Sequence, residues 1–527
     1  MTNSIAEIQG SDTIFIIGSN TTEAHPVIGS QIKRAVKNGT KLIVADPRKI
    51  GVSEIADIAI QQRPGSDIPL INGMMHVIIE EGLHDKEFIR NKTVDFEEMK
   101  AVVKEYTPEK VEEMTGVDKE KIIKMARLYA SVEKASIFYA MGITQHVSGT
   151  ANVLSIANLA MLTGNVGKES TGVNPLRGQN NVQGACDLGG LPNVYPGYQK
   201  VVDPQVNGKF KKAWNVDYLS NKNGLTVVEM INAAENGDIT GLYIMGENPM
   251  ISDPNQNHVR KVLEDIEFLV VQDIFLTETA EMADVVLPAA CFAEKDGSFT
   301  NTERRVQRVN KAVNPPGAAK ADWEIIIEIS NRIGYKMHYD SVEEILDEIS
   351  EVTPIYGGIK HNRLGNLGLQ WPCIDENHPG TQYLHKGEFA RGKGKFHPIS
   401  YIPPIESVDD DYNFIMMTGR ILYQYHTGTM TRNSNAIDNY QPDSYVEMNP
   451  QDAIQLGLET KDRVKISSRR GEIETFVKID SRISRGEIFM PFHYSESPAN
   501  RLTNDVLDPK AKIPELKVTA VSIEKVK

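Results

Sequence analysis

One twelve-residue stretch concentrates the polar chemistry of this sequence: Asn174-Pro175-Leu176-Arg177-Gly178-Gln179-Asn180-Asn181-Val182-Gln183-Gly184-Ala185. Its amides and glycines build no core, yet its composition is not that of a disordered tract. Such a stretch suits a loop lining a polar pocket, where amides meet a heteroatom-rich ligand. Arg177 is its only charge, and a planar guanidinium among amides holds a small carboxylate or other oxyanion by two hydrogen bonds. The plainer alternative is an arginine paired with a distant acid to staple two domains. Upstream, Met141-Gly142-Ile143-Thr144-Gln145-His146 ends a strand pattern and can line the same pocket.

A second kind of chemistry occurs twice. Gly18-Ser19-Asn20 closes the apolar run Thr13–Ile17, and Asp46-Pro47-Arg48 closes the run 42–45. Gly246-Glu247-Asn248 and Gln272-Asp273 close the runs 242–245 and 268–271 in the same way. A glycine at the carboxyl end of a strand lets a ligand approach the backbone, and a following helix start favours phosphate. An acid at the end of the next strand accepts hydrogen bonds from ribose hydroxyls or a base edge. The simpler alternative makes these turn glycines and a capping acid, since neither copy is a full G-x-G-x-x-G.

The elements that must position these residues follow from the pattern. The short β-branched runs read as buried strands. A helix is predicted from Pro26 to Lys37, stopped by Asn38-Gly39, and another over residues 258–267. Strand, helix and strand within about thirty residues make a right-handed βαβ unit in a parallel sheet. From Gly18 to Asp46 is 28 residues and from Gly246 to Asp273 is 27; from Asp46 to Ala56 and from Asp273 to Ala283 is 10 in both cases. Matching strand ends at matching spacings argue for two copies of one α/β half, each taking a nucleotide-like moiety.

Beyond residue 320 the pattern changes. Helices are predicted over 323–333 and 342–349, and Pro354 to Ile405, rich in Pro, Gly and aromatics, reads as a long connecting segment. From about residue 408 short strands dominate, with a hairpin at Arg469-Arg470-Gly471-Glu472 and one clear helix over 449–456, capped by Asn449 and stopped by Gly457. A compact β-barrel is the simplest account. The expected fold is therefore α/β: a first dinucleotide-binding-like domain at 1–178, a second at 179–320, a helical and irregular connection at 321–407 and a C-terminal barrel at 408–527.

Composition sets the outer limits. The chain has 527 residues, 40% of them apolar, and a formal net charge of −14. The length suggests roughly three to four domains. An acidic surface repels phosphate backbones, which argues against a general nucleic-acid binder. No apolar run approaches the ~20 residues of a membrane span. Three scattered cysteines form neither a disulfide framework nor a C-x-x-C site. Met1 leads into a strand pattern with no leader, so a reducing, cytoplasmic location is expected.

Arg177-Gly178-Gln179-Asn180-Asn181-Val182-Gln183-Gly184-Ala185-Cys186-Asp187 resembles the active-site loop of molybdopterin-dependent formate dehydrogenase catalytic (alpha) subunits. Ile16-Ile17-Gly18-Ser19-Asn20, Ala45-Asp46-Pro47-Arg48, Met141-Gly142-Ile143-Thr144-Gln145, Met245-Gly246-Glu247-Asn248-Pro249, Val271-Gln272-Asp273 and the tail from Met490-Pro491-Phe492-His493 to Thr503 are similar to the same family in the same order. The resemblance implies a molybdenum or tungsten ion held by two pterin guanine dinucleotides, one arm per half. It assigns Gly18, Ser19, Asn20, Asp46, Arg48, Gly65, Asp67, Met141, Gly142 and Gln145 to the cofactor in the first half. Gly246, Glu247, Gln272 and Asp273 serve in the second, and Gly419, Arg420, His426, Thr427, Asn500 and Lys517 in the barrel. Arg177 orients formate and Gln179 supports the pterin beside it.

The resemblance further implies a [4Fe-4S] cluster and a cysteine or selenocysteine metal ligand with a neighbouring histidine, all ahead of Met1; no metal ligand is expected within this sequence. An in-frame UGA codon read as a stop, or a separately encoded N-terminal half, would explain that. Formate and an electron-accepting subunit of iron–sulfur, flavin, F420 or NAD type are the implied partners. Two alternatives stand beside this reading: another molybdopterin oxidoreductase acting on a small oxyanion, or an inactive cofactor-binding fragment. The isolated chain is expected to be inactive.

Overall fold

The structure, a computed structural model, describes residues 1–526. They form two compact units. The first comprises Met1–Gly178, Ile251–His258 and Tyr383–Lys527, and the second Gln179–Met250 and Val259–Gln382.

The first unit is built on five parallel strands: β1 (Thr13–Ile17), β2 (Lys41–Ala45), β3 (Ile58–Ile60), β4 (Ala135–Tyr139) and β5 (Gly172–Pro175), in the order β3-β2-β1-β4-β5. All five residues of β1 are buried, as expected of a parallel strand covered on both faces. Ile14, Ile16, Leu42 and Val44 pack on Ile28, Ile32 and Ala35 of α1 (Pro26–Lys37). Phe15, Ile17, Ile43 and Ala45 face α2 (Asp67–Glu80), α3 (Lys119–Ala130) and α4 (Gly149–Leu162). The chain leaves β4 at Tyr139 and turns at once into a helical turn, Met141–Thr144, instead of prolonging the strand.

The second unit contains three parallel strands, β6 (Gly241–Met245), β7 (Phe268–Asp273) and β8 (Val285–Pro288), in the order β8-β7-β6. The helix α5 (Gln256–Asp265) lays Val259, Val262 and Leu263 on Leu269 and Val271. An antiparallel sheet follows, of β9 (Gly297–Thr300), β10 (Arg305–Val309) and β11 (Leu369–Gln370), with α6 (Asp322–Arg332) between β10 and β11.

The duplication read from spacing recurs in the hydrogen bonds around the strand ends. Gly18 N–H donates to the Ala45 carbonyl at 3.0 Å, and Gly246 N–H to the Gln272 carbonyl at 2.8 Å, each beside the acid that follows. Both glycines have positive φ, +56° and +63°. Asp57 closes a two-way bridge to Leu42, donating from its backbone to the carbonyl and accepting the amide on its carboxylate at 2.9 Å; Asp284 does the same to Leu269 at 2.9 and 2.7 Å.

The tail closes into a barrel of β12 (Phe414–Gly419), β13 (Tyr445–Met448), β14 (Arg463–Ser467), β15 (Glu472–Ile479), β16 (Glu487–Pro491) and β17 (Thr519–Lys525), ordered β12-β16-β13-β15-β14-β17. Alternate residues of β15 point inward onto Val446, Met448, Ile466 and Ile488. The helix α7 (Pro450–Leu456) starts from the Asn449 cap, as read from the sequence. Glu447, fully buried, ties the barrel to the first sheet: Arg48 donates to it at 2.6 Å, joined by Arg482 at 2.6 Å and Lys478 at 3.0 Å. The Arg48 guanidinium also lies 3.4 Å over the Phe489 ring. These cations hold the Glu447 carboxyl below its ordinary pKa despite burial. The stretch 321–407 contributes to both units: Tyr356, Ile359, Leu364 and Cys373 form a small core with Val306 and Leu346, while Phe396 joins the core under the first sheet.

Candidate active site

Arg177 follows β5 directly, and its main chain is held from two sides. His25, which precedes α1, engages the Arg177 carbonyl through Nε2 at 2.8 Å. Arg420, just past β12, donates from Nη1 to the Gly178 carbonyl at 2.7 Å. His25 sits where Pro26 starts the helix, so the break between the helical turn Thr21–Ala24 and α1 aims the imidazole at the end of β5. Burial lowers its pKa, and the Arg420 charge adds to this, so a neutral imidazole donates from Nε2. A Cβ on Gly178 would make only ordinary contacts, with Met141 Cε and Arg420 Nη2, so the close packing found at other glycines does not explain this one.

The strand ends carry more hydrogen-bonding capacity than the protein uses. The buried atoms Ser19 Oγ, Asn20 Nδ2, Thr21 Oγ1 and His25 Nδ1 have no partner. Unpartnered buried polar atoms are few in native proteins, and a cluster of them marks a place built for something else. Gly18 and Gly142 bring two backbones together: Gly142 N–H donates to the Gly18 carbonyl at 3.1 Å, and a Cβ on Gly142 would lie 2.6 Å from that oxygen. Gly65, at φ +78°, is pressed against Pro404.

The charges of this region are unevenly paired. Lys517 donates to the Thr418 carbonyl at 2.7 Å, and Arg420 to Gly178; among the described residues neither has a carboxylate within 4 Å. Desolvation lowers Lys517 to about 8, opposed by the nearby Asp46. The acids respond in the opposite sense. Asp46 is raised to about 6 by burial, offset by the Arg48 amide and by the Arg48 and Lys517 charges. Asp67, the first residue of α2, rises to about 7 by burial in spite of the Gln62 amide it accepts at 3.1 Å. Glu487 rises to about 8 by burial, and its Oε2 is unpartnered. Two cations with no carboxylate within 4 Å and three acids with raised pKa values suit a ligand with anionic phosphates at one end and N–H or O–H donors at the other.

In the barrel, His493 accepts from Ile421 N–H on Nε2 at 3.2 Å and therefore donates from Nδ1 to the His426 carbonyl. Burial takes His493 to about 3 and His426 to about 4, so both rings are neutral. This bond holds His426 in the left-handed region at φ +50°. Thr427 shares its hydroxyl with Thr429 at 2.9 Å. A Cβ on Gly419 would meet the Phe489 ring at 2.5 Å, the ring on which Arg48 stacks. Asn500 donates to the carbonyls of Ile251 and Ser252, leaving Oδ1 buried and unpartnered.

In the second unit, nothing lies within 4 Å of a Cβ placed on Gly246, so its backbone is open to close approach. Asp273 accepts the Ile274 amide at 2.6 Å, and burial raises its pKa. Gln272 is fully engaged, accepting from the Tyr243 hydroxyl and donating to Asp322 at 2.7 Å. Glu247 is half-buried beside Gly246, Gln145 ends the turn after β4, and Gln179 opens the second unit, half-buried.

The amides of the polar loop do less ligand-facing work than their number suggests. Asn174 accepts the Asn3 amide at 3.2 Å, Asn181 accepts the Thr300 amide at 2.9 Å, and Gln183 donates to Asp187 at 2.8 Å. Gly184 is required because a Cβ there would lie 2.2 Å from Asn181 Oδ1. Asn174 and Asn181 satisfy backbone N–H groups of other segments, at Asn3 and Thr300, and Gln183 a buried carboxylate. Sequence reasoning missed His25, Glu487 and His493. A histidine just before a helix-starting proline was a readable signal for the first; the other two come together only through barrel closure.

Residues 1–332 match the sequence profile described as molybdopterin oxidoreductase, and residues 414–520 that described as molydopterin dinucleotide binding domain. The chain is 54% identical over 531 residues to the F420-dependent formate dehydrogenase subunit alpha of Methanocaldococcus jannaschii, covering all of this chain and 78% of that protein. It is 43% identical to formate dehydrogenase H of Escherichia coli, over 99% of this chain and 74% of that one. Among solved structures it matches acetylene hydratase from Pelobacter acetylenicus with a TM-score of 0.79 at 23% identity, covering 99% of this chain and 79% of that one, a likeness of fold.

Proposed function

This chain belongs to the molybdopterin oxidoreductase family, and on that premise we propose that it is the substrate-orienting and cofactor-cradling part of a formate dehydrogenase catalytic subunit. The observation that carries the reading is the 54% identity to a formate dehydrogenase subunit along the whole chain, taken with the fixed position of Arg177.

The residues present fit a pair of pterin guanine dinucleotides carrying molybdenum or tungsten. Lys517 and Arg420, cations without carboxylate partners, suit the phosphates; Asp46 and Asp67 suit ribose hydroxyls and base N–H groups; the unpartnered Ser19 and Asn20 side-chain atoms fill out the same wall. Gly246, with its open backbone, and Asp273 do the equivalent for the second arm. When bound, the group supplies the metal centre that takes up the two electrons released as formate becomes carbon dioxide and a proton.

Arg177 holds the formate carboxylate through two parallel N–H donors, which fixes the C–H direction as well as the position. The same guanidinium has no comparable grip on neutral carbon dioxide, so binding favours substrate over product. His25 and Arg420 keep the Arg177–Gly178 main chain in place. An iron–sulfur cluster outside this chain and an electron-accepting partner subunit complete the path; the greater similarity to F420-dependent subunits than to formate dehydrogenase H supports a deazaflavin-using partner. A cytoplasmic location belongs to this reading, with all three cysteines free; among the described residues no helix is long and apolar enough to cross a membrane.

The test is formate-dependent dye reduction by the complete enzyme, against a panel of nitrate, sulfoxides and other small oxyanions. Activity confined to formate is expected. Turnover of another oxyanion with none of formate would overturn the assignment.

A further inference from the structure

The far end of the polar loop is held by one carboxylate. Asp187, fully buried, ends the helical turn Val182–Asp187 and accepts four hydrogen bonds. Gln183 Nε2 and the Tyr198 hydroxyl donate to Oδ1 at 2.8 and 2.7 Å. The Tyr356 hydroxyl and Trp371 Nε1 donate to Oδ2 at 2.7 and 2.6 Å. All four donors are neutral groups, and an indole N–H can only donate, so Oδ2 is an acceptor. Burial, with the Asp187 charge added, raises Tyr356 well above its ordinary pKa, so its hydroxyl keeps the proton it donates.

From this carboxylate a chain of hydrogen bonds runs back to the start of the loop. Because Tyr356 donates to Asp187, its oxygen accepts from the Thr300 hydroxyl at 3.0 Å. Thr300, the last residue of β9, donates its backbone N–H to Asn181 Oδ1 at 2.9 Å. Asn181 stands in the left-handed region at φ +60°, and its carbonyl accepts the Ala185 amide at 3.0 Å. The path Asp187–Tyr356–Thr300–Asn181 ends two residues past Gln179, and every member lies in the second unit. A loop with glycines at 178 and 184 would otherwise sample many conformations and be ordered anew at each binding event.

A side-chain amide that meets a ligand must present its oxygen and its nitrogen the right way round, which requires a fixed backbone beneath it. We propose that Asp187 is a positioning residue for Gln179: through Tyr356, Thr300 and Asn181 it sets the backbone of residues 179–181 so that the Gln179 amide meets the pterin. The inference rests on the cofactor reading, in which Gln179 supports the pterin. It adds to that reading a residue whose own carboxylate is fully engaged within the protein.

The experiment is a double-variant cycle in the complete enzyme, with Gln179→Ala and Asp187→Asn, read by the rate of pterin release. Asp187→Asn turns one acceptor into a donor that faces two donors, so release should quicken on the order of tenfold. If Asp187 acts through Gln179, the double variant should release no faster than Gln179→Ala alone. In enzyme that keeps its cofactor, kcat should fall while KM for formate holds, because formate is gripped at Arg177. Amide hydrogen exchange should rise over residues 179–185. Tyr356→Phe keeps the ring and removes one bond; it should act in the same sense more weakly, and it carries the cycle if Asp187→Asn does not fold. Release rates that multiply in the double variant, or a KM that rises as kcat falls, would make Asp187 a structural staple and overturn the proposal while the cofactor role of Gln179 stands. Normal release from Gln179→Ala alone would overturn that cofactor role, and the proposal with it.

Discussion

The Arg420 guanidinium donates to the Gly178 carbonyl at 2.7 Å, one residue beyond the carbonyl that His25 engages at 2.8 Å. Residues from a helix start and from a barrel strand end thus grip consecutive peptide units beside Arg177. A flexible loop could carry the same arginine, but it would have to be ordered at each binding event.

His25 is accordingly expected to act on Arg177 through the main chain. His25→Ala in the complete enzyme should lower kcat/KM for formate about tenfold, the worth of one hydrogen bond of about 1.5 kcal/mol. His25→Gln, which retains an amide donor, should recover part of it. Steady-state kinetics beside metal analysis checks this, with metal content unchanged; unaltered kinetics in His25→Ala would remove the residue from the mechanism.

Arg177→Lys separates orientation from attraction. Lys keeps the charge and loses the planar fork. If the fork aligns formate, turnover should fall on the order of a hundredfold for a misplacement of about 1 Å. If the charge only draws anions in, turnover should hold while KM rises. Arg177→Ala should be worse in both parameters, and loss of the metal in either variant would mark Arg177 as a structural staple.

The two halves make a symmetrical prediction for cofactor loading. Asp46→Ala and Asp273→Ala should each reduce pterin and metal content, with affinity losses of about tenfold or more from one charge-assisted hydrogen bond of about 1.5–3 kcal/mol. Lys517→Met should act on the same quantity, because it removes a cation that has no carboxylate partner. Full loading in any of these variants, read by metal and pterin analysis, would reject that residue's assignment.

Asp67 gives a pH dependence whose sign is fixed by its raised pKa. The acid moves from 3.8 to about 7 on folding, so the folded state favours the protonated form. Stability contributed by that preference is complete below 3.8 and declines as pH rises toward about 7, by up to about 4 kcal/mol. Asp67→Asn removes the decline, so denaturant melts of the cofactor-free chain should show the variant gaining on wild type between pH 4 and pH 8. A constant difference across that range would mean Asp67 is not desolvated.

Local pattern determined a good deal of this protein. The run Thr13–Ile17, the helix Pro26–Lys37 with proline at its start, and the Asn449 cap with Gly457 as stop appear where the residues indicate, because strand burial and helix capping are set within a few positions. The repeat was legible because spacing between glycine and acid survives where side chains diverge. Arg177, Asp46 and Asp273 stood out because a charge at a strand end or in a glycine-rich loop is conspicuous in one dimension.

Tertiary structure decided the rest, since burial and pairing depend on residues far away in the chain. Arg48, read as a cofactor contact, finds its charge partner in Glu447, 399 positions on, and its aromatic shelf in Phe489. The loop amides Asn181 and Gln183 turn inward to satisfy buried backbone and Asp187. The shifts of Asp67 and Glu487 arise from desolvation in the folded chain, and no local pattern encodes that. Most of all, Tyr243 and Met245 fit the same strand pattern as Phe15 and Ile17; only the fold shows that one pair is covered and the other is not.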